Sequence, residues 1–191
     1  MVLKNAVILH GIEDSKKDYY GLPKGESNLG WYPVVQWELT KRGILTQTPE
    51  MPNPYLPDMN YGEWVRTISQ FDISQNTILI GHSCGGGFWL KYLSLNPQIK
   101  VGQLILVAPW IDVDSEHSTF FTDWKMDTNL LLRCKQIDLF ISSDDMEAIL
   151  KSVDKVKEVY GNKIKYHEFN DKGHFSWGCI GRNFPELLKI I

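Results

Sequence analysis

Cysteine is scarce in this chain and does not pair. There are three among 191 residues, Cys84, Cys134 and Cys179, and no two form a C-x-x-C unit. An odd count without metal-ligand spacing argues against both a disulfide framework and a structural zinc site. Long apolar runs are also missing, since none approaches the ~18 residues needed to cross a bilayer. No block of like charge stands out and the formal net charge is only −3, so neither nucleic acid nor an anionic membrane is an expected partner. The opening residues, Met1-Val2-Leu3-Lys4-Asn5, lack the charged-then-apolar plan of a signal peptide. A reducing cytoplasm is the expected compartment.

What remains is the make-up of an ordinary globular protein, 43% apolar and 23% charged, with a length suited to one α/β domain over 1–191. Apolar strand-like segments near 6–10, 44–48, 77–80, 103–108, 137–142 and 163–169 alternate with helix-like stretches near 32–42, 61–71, 86–95, 146–160 and 184–190. That alternation predicts an α/β fold with a mostly parallel six-stranded sheet covered by helices on both faces. In 146–160, Ile149, Val153, Val156 and Tyr160 recur at the three-and-four spacing of an amphipathic helix.

The most specific stretch is Gly81-His82-Ser83-Cys84-Gly85, a G-x-S-x-G pattern. It follows the apolar run Thr77-Ile78-Leu79-Ile80 and opens into a helix-like segment beginning Gly86-Gly87-Phe88. Strand, sharp turn and helix form the setting of a nucleophile elbow, in which the serine hydroxyl stands above the sheet edge. The alternative for such a stretch is a purely structural glycine-rich turn. Serine is a weak nucleophile at neutral pH and needs a base within hydrogen-bond reach.

Strand carboxyl ends in an open parallel sheet share one edge, so loops distant in sequence can converge there. Asp144-Asp145 follows the 137–142 strand, and His174 follows the last strand beside Gly173. Serine, then acid, then histidine is the chain order of α/β hydrolases. Among the other histidines, His167 lies within a strand pattern and His117 comes too early in the order. His10 ends the first strand, and His82 is expected to brace the elbow. Asp145 is the first choice as partner to His174 and Asp144 the second. Either carboxylate also suits a cap on the following helix, and spacing alone does not separate the two roles.

Oxyanion donors are expected from the backbone N–H groups of Ile12, after His10-Gly11, and of Cys84, directly after the serine. The Cys84 thiol itself reads as a small packed side chain. Two connections are unusually long, residues 11–30 and residues 109–135. The second carries Trp110, Phe120, Phe121 and Trp124, which either roof a ligand cleft or bury in the core. In the first case Trp110, Phe121 and Trp124 become candidate substrate contacts.

Together, His10-Gly11, Trp31-Tyr32-Pro33, Met51-Pro52-Asn53-Pro54, Gly81-His82-Ser83-Cys84-Gly85, Ser143-Asp144-Asp145 and Gly173-His174-Phe175 resemble the YdeN-type small serine hydrolases, a family that includes retinoblastoma-binding protein 9. The resemblance covers nearly the whole chain. It implies a compact α/β-hydrolase core and a Ser83–Asp145–His174 triad, with the second aspartate of the pair serving. It also implies carboxylesterase-like activity on small acyl esters without a cofactor or metal. The chain departs from the family pattern in lacking a Val-Pro after the acidic pair and in a longer 12–30 loop, and the lipase-type H-G-G-G is absent. A peptidase and a dienelactone-type hydrolase are less favoured, the latter because position 83 is serine where cysteine is expected. The competing class is a protein-interaction module on a hydrolase scaffold, although nothing in the sequence encodes a partner surface.

Overall fold

A computed structural model describes residues 5–12 and 25–191. Most of the long 11–30 connection therefore lies outside the described residues. Six strands form one sheet: β1 (Asn5–Leu9), β2 (Leu45–Gln47), β3 (Thr77–His82), β4 (Val101–Val107), β5 (Cys134–Ser142) and β6 (Lys165–Phe169). Their order across the sheet is β2-β1-β3-β4-β5-β6, and every neighbouring pair is parallel. The helices are α1 (Tyr32–Lys41), α2 (Tyr61–Ile68), α3 (Cys84–Leu95), α4 (Glu147–Tyr160), and two short ones, α5 (Trp177–Ile180) and α6 (Pro185–Leu188).

All residues of β3 and β4 are buried, so both faces of the sheet centre are covered. This is why those strands read as unbroken apolar runs without alternation. The edge strands differ. β2 has three residues, and β6 reads Lys-Tyr-His-Glu-Phe with Lys165 and Glu168 exposed. Short or charged edges discourage further strands from pairing. Inside the sheet the Asp138 carboxylate is fully buried and accepts hydrogen bonds from Gln103, Gln136 and the Nε2 of His167 at 2.7–2.9 Å. One contiguous apolar core runs from Ala6 to Leu187. No helix among the described residues is long and apolar enough to cross a membrane.

Helix α3 is buried over ten of its twelve residues, because it lies against the sheet centre and is covered from outside. Its outer cover is the segment between β4 and β5, which expectation left open between roof and core. Trp110, Phe120 and Phe121 are buried, and Phe120 packs edge-on to Trp64 with ring centroids 5.1 Å apart. The Lys91 ammonium, on α3, holds this segment by donating to the carbonyls of Phe120 (2.8 Å) and Thr122 (2.9 Å) and lying 4.4 Å from the Tyr61 ring. At the far end, Arg133 donates to the carbonyls of Leu93, Asn96 and Ile99 and pairs with Asp127.

The chain leaves β1 toward β2 on one side and returns to β3 on the other. In open α/β sheets the crevice beyond the strand carboxyl ends at such a reversal is where ligands bind. Here that crevice lies between the ends of β1 and β3.

The helix and its cover meet without a side chain between them at Gly87. A Cβ there would stand 1.9 Å from the Trp110 carbonyl oxygen and 2.7 Å from the Phe121 ring. Gly87→Ala is therefore expected to destabilise the protein by about 3 kcal/mol or more, since backbone must move to admit the methyl. Urea unfolding of the variant beside the parent checks this, and a loss below about 1 kcal/mol would contradict it.

Candidate functional site

Ser83 sits between the end of β3 and the start of α3 with φ 53° and ψ −122°. Positive φ is costly for a non-glycine residue and persists only where the surroundings over-determine it. Here the Ser83 N–H donates to Val107 O (2.9 Å), continuing the β3–β4 ladder past its last pair. Its carbonyl accepts from the N–H groups of Gly86 (3.0 Å), Gly87 (3.1 Å) and Trp110 (3.0 Å). The flanking glycines let helix and strands touch. A Cβ on Gly81 would lie 2.5 Å from the Gly85 backbone, and one on Gly85 would lie 2.5 Å from His10 O. The helix starts at Cys84, two residues earlier than the apolar pattern suggests, because the strained serine itself makes the turn.

On the loop after β6, His174 Nδ1 lies 3.0 and 3.2 Å from the two carboxylate oxygens of Asp145, whose side chain is fully buried. The carboxylate accepts only, so the ring's Nδ1–H is the donor of this pair. Asp145, the first choice from the sequence, is the one that bonds the His174 ring. Asp144 caps no helix. It accepts from the Ser142 hydroxyl and from the Gly173 N–H (2.9 Å), and these bonds hold its carboxyl below the usual carboxylate range. Asp145 bonds the His174 ring and also accepts from the Met146 N–H at 2.7 Å. Among the described residues no hydrogen bond joins Ser83 Oγ to His174. Such bonds commonly tighten only when a substrate is engaged.

Gly11 faces the serine across the β1–β3 crevice. A Cβ there would fall 2.9 Å from Ser83 Cβ and 3.3 Å from Ser83 Oγ, so only glycine fits. Next to it, His10 Nε2 accepts from the Met51 N–H (2.9 Å), which leaves Nδ1–H to donate to Gly11 O (2.8 Å). Burial lowers the His10 pKa against the opposing pull of Glu50, favouring this neutral form. A trans peptide points its C=O and N–H in opposite directions. The Ile12 N–H is therefore turned away from His10. The Met51-Pro52-Asn53-Pro54 run acquires its local purpose here, since Met51 orients His10 and Pro52 O accepts from Trp64 Nε1 at 2.8 Å. The Cys84 N–H belongs to the first turn of α3, whose leading amides have no intrahelical acceptor. Its buried thiol is pushed well up by desolvation, as suits a packed side chain.

His82, expected to brace the elbow, reaches further than that. Its ring is buried, with Nδ1 2.7 Å from the Tyr32 hydroxyl and Nε2 2.6 Å from the His174 carbonyl oxygen. Burial, reinforced by nearby His174, pushes its pKa down to about 3. The one signal that pointed to these contacts was the Trp31-Tyr32-Pro33 motif, which opens α1.

The candidate substrate contacts need correction. Trp110 and Phe121 are each only 5% exposed and pack edge-on at 5.5 Å, because Gly87 draws them onto α3. Trp124 is half-buried and lines a cavity of about 650 Å³ with Ile111, Asp112, Phe121, Met126 and Lys155. Neither Ser83 nor His174 lines that cavity.

Among known proteins, a family model described as serine hydrolase matches residues 7–184. The putative hydrolase YdeN of Bacillus subtilis (strain 168) is 29% identical over 108 residues, 55% of this chain and 50% of that protein. The chain thus spans about half the length of the curated relative it matches. The crystal structure of the ydeN gene product from B. subtilis superposes with a TM-score of 0.78 at 21% identity, covering 98% of this chain and 96% of that one. Est1E from Butyrivibrio proteoclasticus gives 0.61 at 14% identity, covering 99% and 85%. Both likenesses bear on the architecture, which is that of the α/β hydrolases.

The buried imidazole of His82 makes stability depend on pH. Its folded pKa lies far below the ordinary 6.5, so below pH 6.5 the unfolded chain binds a proton that the native state refuses. Stability then rises with pH between about 3 and 6.5, and His10 contributes with the same sign. Between pH 7 and pH 5 the His82 share of the loss is about 2 kcal/mol. Urea titrations at the two pH values should show a smaller difference in His82→Gln than in the parent. An equal difference would mean that the ring is not held neutral.

Proposed function

The chain belongs to the serine hydrolase family, and from that premise we propose that it is a carboxylesterase-type enzyme acting on small acyl esters. Ser83 is the nucleophile, His174 the base and Asp145 the orienting acid. The observation that carries the reading is the His174–Asp145 pair at 3.0 Å on loops beside a serine held at φ 53°. Ester chemistry is supported by a structural neighbour described as an esterase/lipase from an uncultured bacterium, with a TM-score of 0.60.

In this mechanism His174 Nε2 takes the Ser83 proton as Oγ attacks the acyl carbon. Asp145 holds the Nδ1–H tautomer and stabilises the imidazolium that forms. The carbonyl oxygen, now negative, accepts from the Ile12 and Cys84 N–H groups. Collapse expels the alcohol, protonated by His174, and leaves Ser83 acylated. Water, deprotonated by the same imidazole, then attacks the acyl-enzyme and releases the acid. The free thiol of exposed Cys179 suits the expected reducing cytoplasm.

Fluorophosphonate labelling and turnover of short-chain p-nitrophenyl esters test the assignment. Ser83→Ala is expected to lose both while keeping its fold. Asp145→Asn should lower kcat by roughly 10²–10⁴-fold, whereas Asp144→Asn, which leaves the ring's partner in place, should lower it much less. Unchanged turnover in Ser83→Ala, or a larger loss in Asp144→Asn than in Asp145→Asn, would overturn it.

A further inference from the structure

Four consecutive residues of the loop that carries His174 each have a backbone group held by a side chain. The Lys172 N–H donates to Ser142 Oγ (3.1 Å) and the Gly173 N–H to Asp144 (2.9 Å). His174 O accepts from His82 Nε2 (2.6 Å) and Phe175 O from Trp31 Nε1 (2.9 Å). The first two ties come from the end of β5 and the acid loop that follows it. The other two come from the opposite side of the site, from the residue before the nucleophile and from the start of α1.

The tautomer of His82 follows from its partners. A backbone carbonyl accepts only, so Nε2 carries the proton and Nδ1 is left to accept from the Tyr32 hydroxyl. The Tyr32 oxygen in turn interacts with the Gly11 backbone amide, and a Cβ on Gly11 would stand 3.7 Å from His82 Nδ1. His82 thus lies between the glycine loop that precedes Ile12 and the carbonyl of His174. Its ring also packs on the His174 ring, with centroids 4.7 Å apart.

We propose that His82, backed by Tyr32, is a positioning residue that fixes the His174 loop and the Gly11-Ile12 loop in one register. The proposal rests on the catalytic reading of Ser83 and His174 given above. A general base displaced by about 1 Å can lose roughly 10²-fold in rate, so a single donor to its own carbonyl has leverage. His82 does not exchange a proton in turnover. Its two nitrogens act as a fixed donor and a fixed acceptor.

The two bonds can be cut separately. His82→Asn keeps an acceptor at the δ position for Tyr32 but removes the donor to His174 O. His82→Gln keeps a donor at the ε position. Tyr32→Phe removes only the phenol hydroxyl and is the mildest change to the core. With a p-nitrophenyl ester as substrate, His82→Asn is expected to lower kcat by about 10–100-fold with KM within about twofold. His82→Gln should recover most of that loss, and Tyr32→Phe should lower kcat several-fold. A folded His82→Asn with parental kcat, or a His82→Gln that is no better than Asn, would overturn the proposal.

Nitrogen-15 spectra of the parent protein provide a readout independent of turnover and of any variant's folding. They should show His82 as the Nε2–H tautomer, not titrating between pH 5 and pH 8. An Nδ1–H tautomer, or a ring that titrates in that window, overturns the relay as drawn. A parent protein that neither labels with fluorophosphonate nor turns over esters removes the premise, and that failure is recognised in the parent itself, apart from any effect of the variants.

Discussion

The close seating of α3 on the ends of β1 and β3 is the contact on which the rest of the site depends. Gly81 and Gly85 leave no side chain between helix and strands, and the distances to His10 O and the Gly85 backbone show that no methyl would fit. Because the helix begins so near the sheet, the single residue joining β3 to it must turn at positive φ, and that residue is Ser83. The same approach brings Gly11 against the serine from the β1 side. The strained turn, the first-turn amides of α3 and the crevice at the strand reversal are therefore one geometrical outcome.

Around that outcome the polar groups are arranged as fixed dipoles. His10 and His82 are both buried, and burial lowers both their pKa values. A buried neutral imidazole offers one donor and one acceptor in a rigid plane, which suits it to set backbone orientation. His10 does this for the Gly11 carbonyl, and His82 does it for the His174 carbonyl. Asp144 plays a parallel part on the far side of the same loop, bonding the backbone while its neighbour Asp145 bonds the ring.

Much of this was legible in the sequence. All six strands stand near the apolar runs that foretold them, the central β3 and β4 most plainly, because strands buried on both faces announce themselves without need of periodicity. Ser83, Asp145 and His174 were singled out by a local motif and by chain order at a shared sheet edge, and the two loops do bring Asp145 and His174 into contact. The aromatic segment after β4 was not resolved, since its fate depended on whether α3 offered a smooth surface, and that surface is glycine at position 87. Short α5 was missed for want of a periodic stretch. The contacts of His82 join residues 50 and 92 positions away, a separation that leaves no local pattern. The split between Asp144 and Asp145 likewise turns on which carboxylate faces a ring and which faces an amide.

Lys91 places a constraint of another kind on the molecule. It stands two turns along the helix that Ser83 begins, and its ammonium is spent on two carbonyls and one aromatic ring of neighbouring segments. The helix that follows Ser83 and the turn at Thr119–Phe121 are thereby tied together. Hinged movement of that turn over the crevice would strand a positive charge in an apolar interior, an unfavourable state at any stage of the motion. On the reading of Ser83 proposed above, adaptation to acyl groups of different shape falls to the segments not anchored to α3, so evolutionary change in specificity has its freest ground away from the aromatic cover.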